Sequence, residues 1–92
     1  MSRLNFQLKK YEKAVRHIAA QKGLERVEVI PNKGSVVRFE LFEIGEKIPK
    51  CMWVIHHSHD RKQEIWSPED YKKAARNLCC EYQEFLDVIK SM

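Results

Sequence analysis

The sequence predicts an α+β fold in which a helix, a three- or four-stranded antiparallel sheet and a second helix follow one another, with both helices on one face of the sheet. Apolar residues recur every three or four positions towards both ends of the chain, as in amphipathic helices. The middle of the chain alternates apolar and polar residues between turn sequences, as in antiparallel strands. The 92 residues suit a single domain over 1–92.

The first helix is predicted over residues 4–22. Its apolar stripe, with spacings of 4, 3, 4 and 3, consists of Leu4, Leu8, Tyr11, Val15 and Ile18. Ser2 or Asn5 is expected to cap the start of this helix, because their side chains accept hydrogen bonds from free backbone N–H groups. Gly23 is expected to end it in the left-handed conformation that costs glycine little.

Strands are predicted over residues 26–30, 36–44 and 51–57, and a short fourth strand over 63–66 is left open. The first two are joined by P-N-K-G, a turn sequence, so they are expected to form a hairpin. In the second strand the alternation places Phe39 on the face opposite Arg38 and Glu40.

The second helix is predicted over residues 68–90, and whether it is continuous past Cys79 and Cys80 is left open. Ser67, Pro68 and Asp70 suit a capped helix start, with the proline at the first helical position. The apolar stripe comprises Tyr71, Ala75, Leu78, Tyr82, Phe85 and Ile89. Cys79 and Cys80 are expected to pack as small apolar groups within this helix.

Positive charge is concentrated at the start of the chain. The formal net charge is +4, and residues 1–26 hold seven Lys/Arg against two Glu. This distribution favours an anionic partner, RNA or a nucleoprotein complex. No apolar run is long enough for a membrane span, and no signal peptide is apparent, so no membrane partner is expected. Three cysteines without a framework pattern predict free thiols in a reducing compartment, the cytoplasm.

The run K-K-A-A-R at residues 72–76, with the order of elements, resembles the double-stranded RNA-binding domain. Upstream, K-G-L-E-R-V-E-V-I and V-V-R-F-E-L are similar to that family's first and second strand regions. The resemblance implies that Lys72, Lys73 and Arg76 contact phosphates. Here Glu69 and Asp70 come before the cations, and negative charge there opposes phosphate binding.

Further phosphate contacts are predicted on the first helix and the first turn between strands. Lys9, Lys13 and Arg16 recur at one-turn spacing on the outer face of the helix, and Lys33 lies in the turn. The alternative for every one of these charges is a solvated surface with no ligand.

The segment H-H-S-H-D at residues 56–60 is the other chemically distinctive run. It suggests a metal site or acid–base catalysis, but no spaced pair of ligands accompanies it, so an exposed polar loop is expected, with no metal and no cofactor. The segment K-G-S-V-V-R-F also resembles the signature of HicA-type RNA-cleaving toxins up to Gly34 and Ser35. Val36 stands where that family has its catalytic histidine, so the nuclease activity is not implied.

Three functions follow from these patterns. The first is a small non-catalytic RNA-binding module that contacts the phosphate backbone through basic helix faces. The second is a small inhibitor or adaptor that binds a larger protein or nucleoprotein complex, as phage anti-CRISPR proteins do. The third is a toxin-like RNA-cleaving enzyme that uses His56, His57 or His59. The sequence predicts no oligomeric state.

Overall fold

A computed structural model describes residues 6–31, 34–59 and 63–92. Within these ranges the protein is α+β, with three helices and two antiparallel sheets. The helices are α1 (Leu8–Gln21), α2 (Pro68–Asn77) and α3 (Tyr82–Lys90). The strands are β1 (Phe6–Gln7), β2 (Arg26–Pro31), β3 (Val36–Phe42), β4 (Cys51–His56) and β5 (Glu64–Ile65).

The larger sheet has the strand order β2-β3-β4, and each strand lies within two residues of its predicted range. Val27 pairs with Leu41, and Phe39 pairs with Trp53. The predicted alternation is confirmed, because Phe39 is fully buried whereas Arg38 and Glu40 are partly exposed. The inward-facing side chains of the sheet share one hydrophobic core with residues of all three helices.

Tyr11 of α1 occupies the centre of this core. Its ring meets three other aromatic rings edge-on at centroid distances of 5.2–5.8 Å, those of Phe39, Tyr71 and Phe85. The Tyr11 hydroxyl donates to the backbone oxygen of Asp70 at 2.7 Å and accepts from Trp53 Nε1 at 2.9 Å. One buried hydroxyl therefore joins α1, α2 and β4, with both of these polar partners satisfied.

The first helix begins later than predicted. Phe6 and Gln7 form a strand that pairs with Ile65 and Glu64 of β5. The Phe6 N–H also donates to the Tyr71 hydroxyl of α2 at 3.1 Å. The open fourth strand therefore belongs to a separate two-stranded sheet, β1-β5. The predicted caps at residues 2 and 5 lie outside the described residues.

The end of α1 is as predicted. Gly23 has φ of +78°, and the Leu24 N–H donates to the Ala19 oxygen at 3.0 Å. This is a Schellman motif, in which a left-handed residue lets the chain satisfy the last carbonyls of a helix.

The helix predicted over 68–90, whose continuity past Cys79 and Cys80 the sequence left open, is divided: the chain forms α2 and α3 with a turn between them. Cys79 adopts φ of +56°, and the Cys80 N–H donates to the Ala75 oxygen at 3.0 Å, which makes a second Schellman motif. Cys79 is exposed and does not pack in the core, whereas Cys80 is half-buried against it. The apolar stripe hides the break, because Phe85 and Ile89 still reach the core from α3.

The start of α2 matches its prediction in part. Pro68 is the first helical residue and Ser67 is the N-cap residue, but the Ser67 side chain makes no capping hydrogen bond. The Asp70 carboxylate instead accepts a hydrogen bond from the His56 N–H of β4 at 3.3 Å. A contact between elements has thus replaced the local capping interaction.

Candidate nucleic-acid interface

The basic run of α2 does not form one cationic face. Successive helical residues are rotated by roughly 100°, so Lys72 and Lys73 point to different sides. Lys73 Nζ donates to the Val54 oxygen at 3.1 Å and lies 3.8 Å from the Asp70 carboxylate. Lys73 therefore covers backbone on β4, an outer strand of the sheet, which hinders pairing with another chain.

The other two cations of the run are exposed. Arg76 lies 3.2 Å from the Glu69 carboxylate, and Lys72 Nζ lies 5.7 Å from the centre of the Tyr82 ring. Among the ion pairs of the described residues, Lys72 is the one cation of this run without a carboxylate partner. The acidic residues ahead of the run thus neutralise much of its charge.

The outer face of α1 is more strongly basic. This helix holds Lys9, Lys10, Lys13 and Arg16 against Glu12, a net charge of +3 (four cations less one acid). Its first turn contains no acidic residue. The exposed cations of this helix, Lys9, Lys13 and Arg16, are called the α1 basic face below.

Arg16, a member of the α1 basic face, also contacts other residues of the chain. Its Nε lies 3.0 Å from the Glu12 carboxylate, and its terminal nitrogen donates to the Val27 oxygen at 2.9 Å. Arg16 is therefore held against β2, whereas Lys9 and Lys13 extend into solvent. The last predicted contact, Lys33, lies outside the described residues.

A cleft opens beside the end of β4 and has a volume of about 250 Å³. It is called the histidine–tryptophan cleft below and is lined by His56, His57, Ser58, Glu64, Trp66, Ser67 and Asp70. Two hydrogen bonds hold its loop ends together, from the Ser58 N–H to the Glu64 oxygen at 2.8 Å and from the Glu64 N–H to Ser58 Oγ at 2.9 Å. The cleft is thus built on a fixed backbone.

Asp70 is a buried carboxylate at the wall of this cleft, with 4% of its surface exposed. Burial raises the pKa of Asp70 above its ordinary value, while the His56 N–H and the Lys73 ammonium oppose that rise. A buried acid with a perturbed pKa in a cleft is a recognised signal of a functional site. The sequence offered Asp70 as a helix-start residue and as a charge that opposes phosphate binding, not as part of a cleft.

The histidine run is divided by the end of β4. His56 is the last strand residue, while His57 and His59 follow it, and His59 is exposed. His57 Nδ1 donates to the Ser58 backbone oxygen at 2.7 Å, since a carbonyl can only accept. Among the described residues, no group of three or more potential metal ligands is close enough to hold an ion.

The two tryptophans have opposite environments. Trp53 is buried and stacks on Phe39 at 5.3 Å, whereas Trp66 exposes 61% of its surface at the cleft. The exposed indole makes Trp66 a candidate contact residue.

Comparison of the chain with protein-family models, with curated proteins and with solved structures finds no significant match. None of the helices in the described ranges has the length and apolar character needed to cross a bilayer.

Proposed function

We propose that this protein is a non-catalytic RNA-binding module whose primary contact is the α1 basic face, with α1 and the two C-terminal helices on one side of the larger sheet, as the helices are in double-stranded RNA-binding domains. The observation that carries the proposal is the charge of α1, +3 over 14 residues with no acid in the first turn. The N-terminal end of a helix also carries partial positive charge, which adds to that of Lys9.

The spacing of the free cations supports backbone contact. Lys9 and Lys13 are one helical turn apart, about 6 Å along the axis, which lets both reach phosphates of one strand. Lys72 supplies an exposed charge on α2. Arg16, Lys73 and Arg76 already have partners within the chain, so their contributions to RNA binding are smaller.

The proposal is tested by binding of a ~20-base-pair RNA duplex, longer than the ~16 base pairs that one such domain spans. Lys9→Glu/Lys13→Glu is compared with Lys47→Glu/Lys50→Glu, which changes two exposed lysines of the β3–β4 loop. Each pair of substitutions lowers the formal net charge from +4 by four, to zero. A loss confined to the α1 variant supports a local contact, and an equal loss in both variants indicates attraction by total charge alone.

Exposed apolar side chains in and after the β3–β4 loop favour a second candidate, binding to a protein. Ile44 and Ile48 of the β3–β4 loop expose 75% and 78% of their surfaces, and Met52 nearby in sequence is also exposed. Exposed apolar clusters mark protein interaction sites. An inhibitor or adaptor of this kind predicts a stable protein complex that Ile48→Asp disrupts, with no affinity for free RNA.

A further inference from the structure

The histidine–tryptophan cleft has the shape of a site for one flat ring. Trp66 follows β5 directly and precedes the first residue of α2 by two positions, so ordered elements fix its backbone on both sides. A volume of about 250 Å³ is below the roughly 300–1,000 Å³ of clefts that enclose drug-sized ligands. An exposed indole provides a stacking surface for a single ring system.

Among the described residues that line the cleft, two carry carboxylates and none is a lysine or an arginine. Glu64 and Asp70 both line the cleft. The Asp70 carboxylate already accepts from the His56 N–H at 3.3 Å and lies 3.8 Å from Lys73 Nζ, which leaves Glu64 as the carboxylate for a ligand. A phosphate is disfavoured beside two carboxylates, since like charges repel. The ligand that suits this lining is flat, carries no negative charge on its ring and offers adjacent N–H donors.

Guanine is the nucleobase with that donor pattern. Its Watson–Crick edge carries the ring N1–H and the exocyclic amino group side by side, which matches the two oxygens of one carboxylate. Adenine and cytosine each present an amino group next to an acceptor, and uracil presents an N–H between two carbonyls. Proteins read unpaired RNA bases in this manner, by stacking on aromatic rings and by hydrogen bonds to base edges.

The start of α1 lies beside the cleft. Gln7 pairs with Glu64, and the Leu8 N–H donates to the Gln63 oxygen at 3.0 Å, so Lys9 follows only two residues after the β1–β5 pairing. Acceptors thus lie in the cleft, and cations lie next to it. An arginine side chain is also flat and rich in donors, but the α1 charge and the Lys73 ammonium 3.8 Å from Asp70 disfavour a cationic ligand.

We propose that the histidine–tryptophan cleft binds an unpaired guanine of RNA, with the base stacked on Trp66 and its donor edge on Glu64, while the adjoining phosphates contact the α1 basic face. This inference rests on the proposed RNA-binding function and specifies which feature of the RNA is recognised.

The test compares labelled oligouridines that carry one central guanine or one central adenine. The expected result is a preference for guanine of at least about fivefold in dissociation constant, the lower limit for a good bidentate contact. Glu64→Gln is expected to remove the preference, because the amide replaces one of the two accepting oxygens with an NH2 donor that faces a donor of guanine, while salt-dependent binding persists. Trp66→Ala is expected to weaken both oligonucleotides at least about fivefold, and Trp66→Phe to restore most of that loss.

Each of the remaining outcomes either overturns the guanine-binding inference or retains it. Equal affinity for the two oligonucleotides overturns it and leaves the RNA-binding proposal intact. Quenching of Trp66 fluorescence by N-acetyl-arginine amide without a guanine preference also overturns it, in favour of an arginine-bearing peptide. If neither oligonucleotide binds at low salt, a titration with guanosine is decisive. Fluorescence quenching by guanosine that is lost in Trp66→Phe retains the guanine site and refutes only RNA binding. Absence of quenching refutes both the guanine site and RNA binding.

Discussion

Replacing Cys79 with glycine is expected to stabilise the protein. Cys79 has φ of +56°, a left-handed conformation that costs a non-glycine residue about 1–2 kcal/mol. Glycine removes that strain but increases the conformational entropy of the unfolded chain, which lowers the free energy of unfolding by about 0.4–1 kcal/mol. The Cys79 side chain is exposed, so its loss removes little buried surface. The net expectation for Cys79→Gly is a gain of about 0.5–1 kcal/mol in the free energy of unfolding.

The assay is urea unfolding followed by the fluorescence of the buried Trp53 and by circular dichroism. A gain of this size corresponds to a rise of about 2–8 °C in the melting temperature of a domain this small. The matched control is Gly23→Ala, at the equivalent position of the first Schellman motif, where φ is +78° and no atom lies within 4 Å of an added Cβ. Gly23→Ala is expected to lower the free energy of unfolding by about 0.5–1 kcal/mol, because the left-handed strain that it adds exceeds the stabilisation from a less flexible unfolded chain.

The sign of the effect distinguishes the two arrangements of the C-terminal region. If residues 68–90 formed one continuous helix, Cys79 would lie in its interior, and glycine there would cost up to about 1 kcal/mol relative to a better helix former. A loss of stability in Cys79→Gly, alongside the expected loss in Gly23→Ala, would therefore refute the break between α2 and α3.

Three further substitutions test the buried polar contacts and the surface charge. Burial raises the pKa of Asp70 above 3.8, so the folded state binds the Asp70 proton more tightly than the unfolded state does. The free energy of unfolding of the wild type should therefore fall, relative to that of Asp70→Asn, as pH rises above 3.8. Denaturation at several pH values measures this difference. Tyr11→Phe leaves the Trp53 N–H and the Asp70 oxygen without their buried partner and should cost about 1–3 kcal/mol in urea unfolding; a cost below 0.5 kcal/mol would contradict this role. Arg76→Ala breaks an exposed ion pair with Glu69 and should change the free energy of unfolding by less than about 1 kcal/mol, with a larger loss pointing to an unrecognised contact.

The larger sheet could be predicted because its signal is local. Alternation around Phe39, together with the turn sequences on either side of β3, was sufficient to place all three strands within two residues. The end of α1 was equally clear, because Gly23 is the residue that a left-handed position favours.

The features of the fold that the sequence did not predict depend on contacts between residues far apart in the chain. The strand at Phe6 forms because of its pairing with Ile65, which helical periodicity does not reveal. Cys79 occupies a left-handed position that sequence rules assign to glycine or asparagine, so the sequence left the continuity of the helix open and did not place its break. In the same way, the partners of Lys73 lie both on its own helix and on β4, and only the fold shows that this lysine is engaged.

The measurement that tests the central claim most directly is the salt dependence of binding to the ~20-base-pair RNA duplex between about 50 and 200 mM salt. The proposal predicts that log K for the wild type falls steeply with log salt and that Lys9→Glu/Lys13→Glu flattens the slope by about 1 for each lysine lost. The Lys47→Glu/Lys50→Glu variant should retain the wild-type slope. No binding by the wild type at low salt, or identical slopes for the wild type and the Lys9→Glu/Lys13→Glu variant, would contradict RNA binding through the α1 basic face.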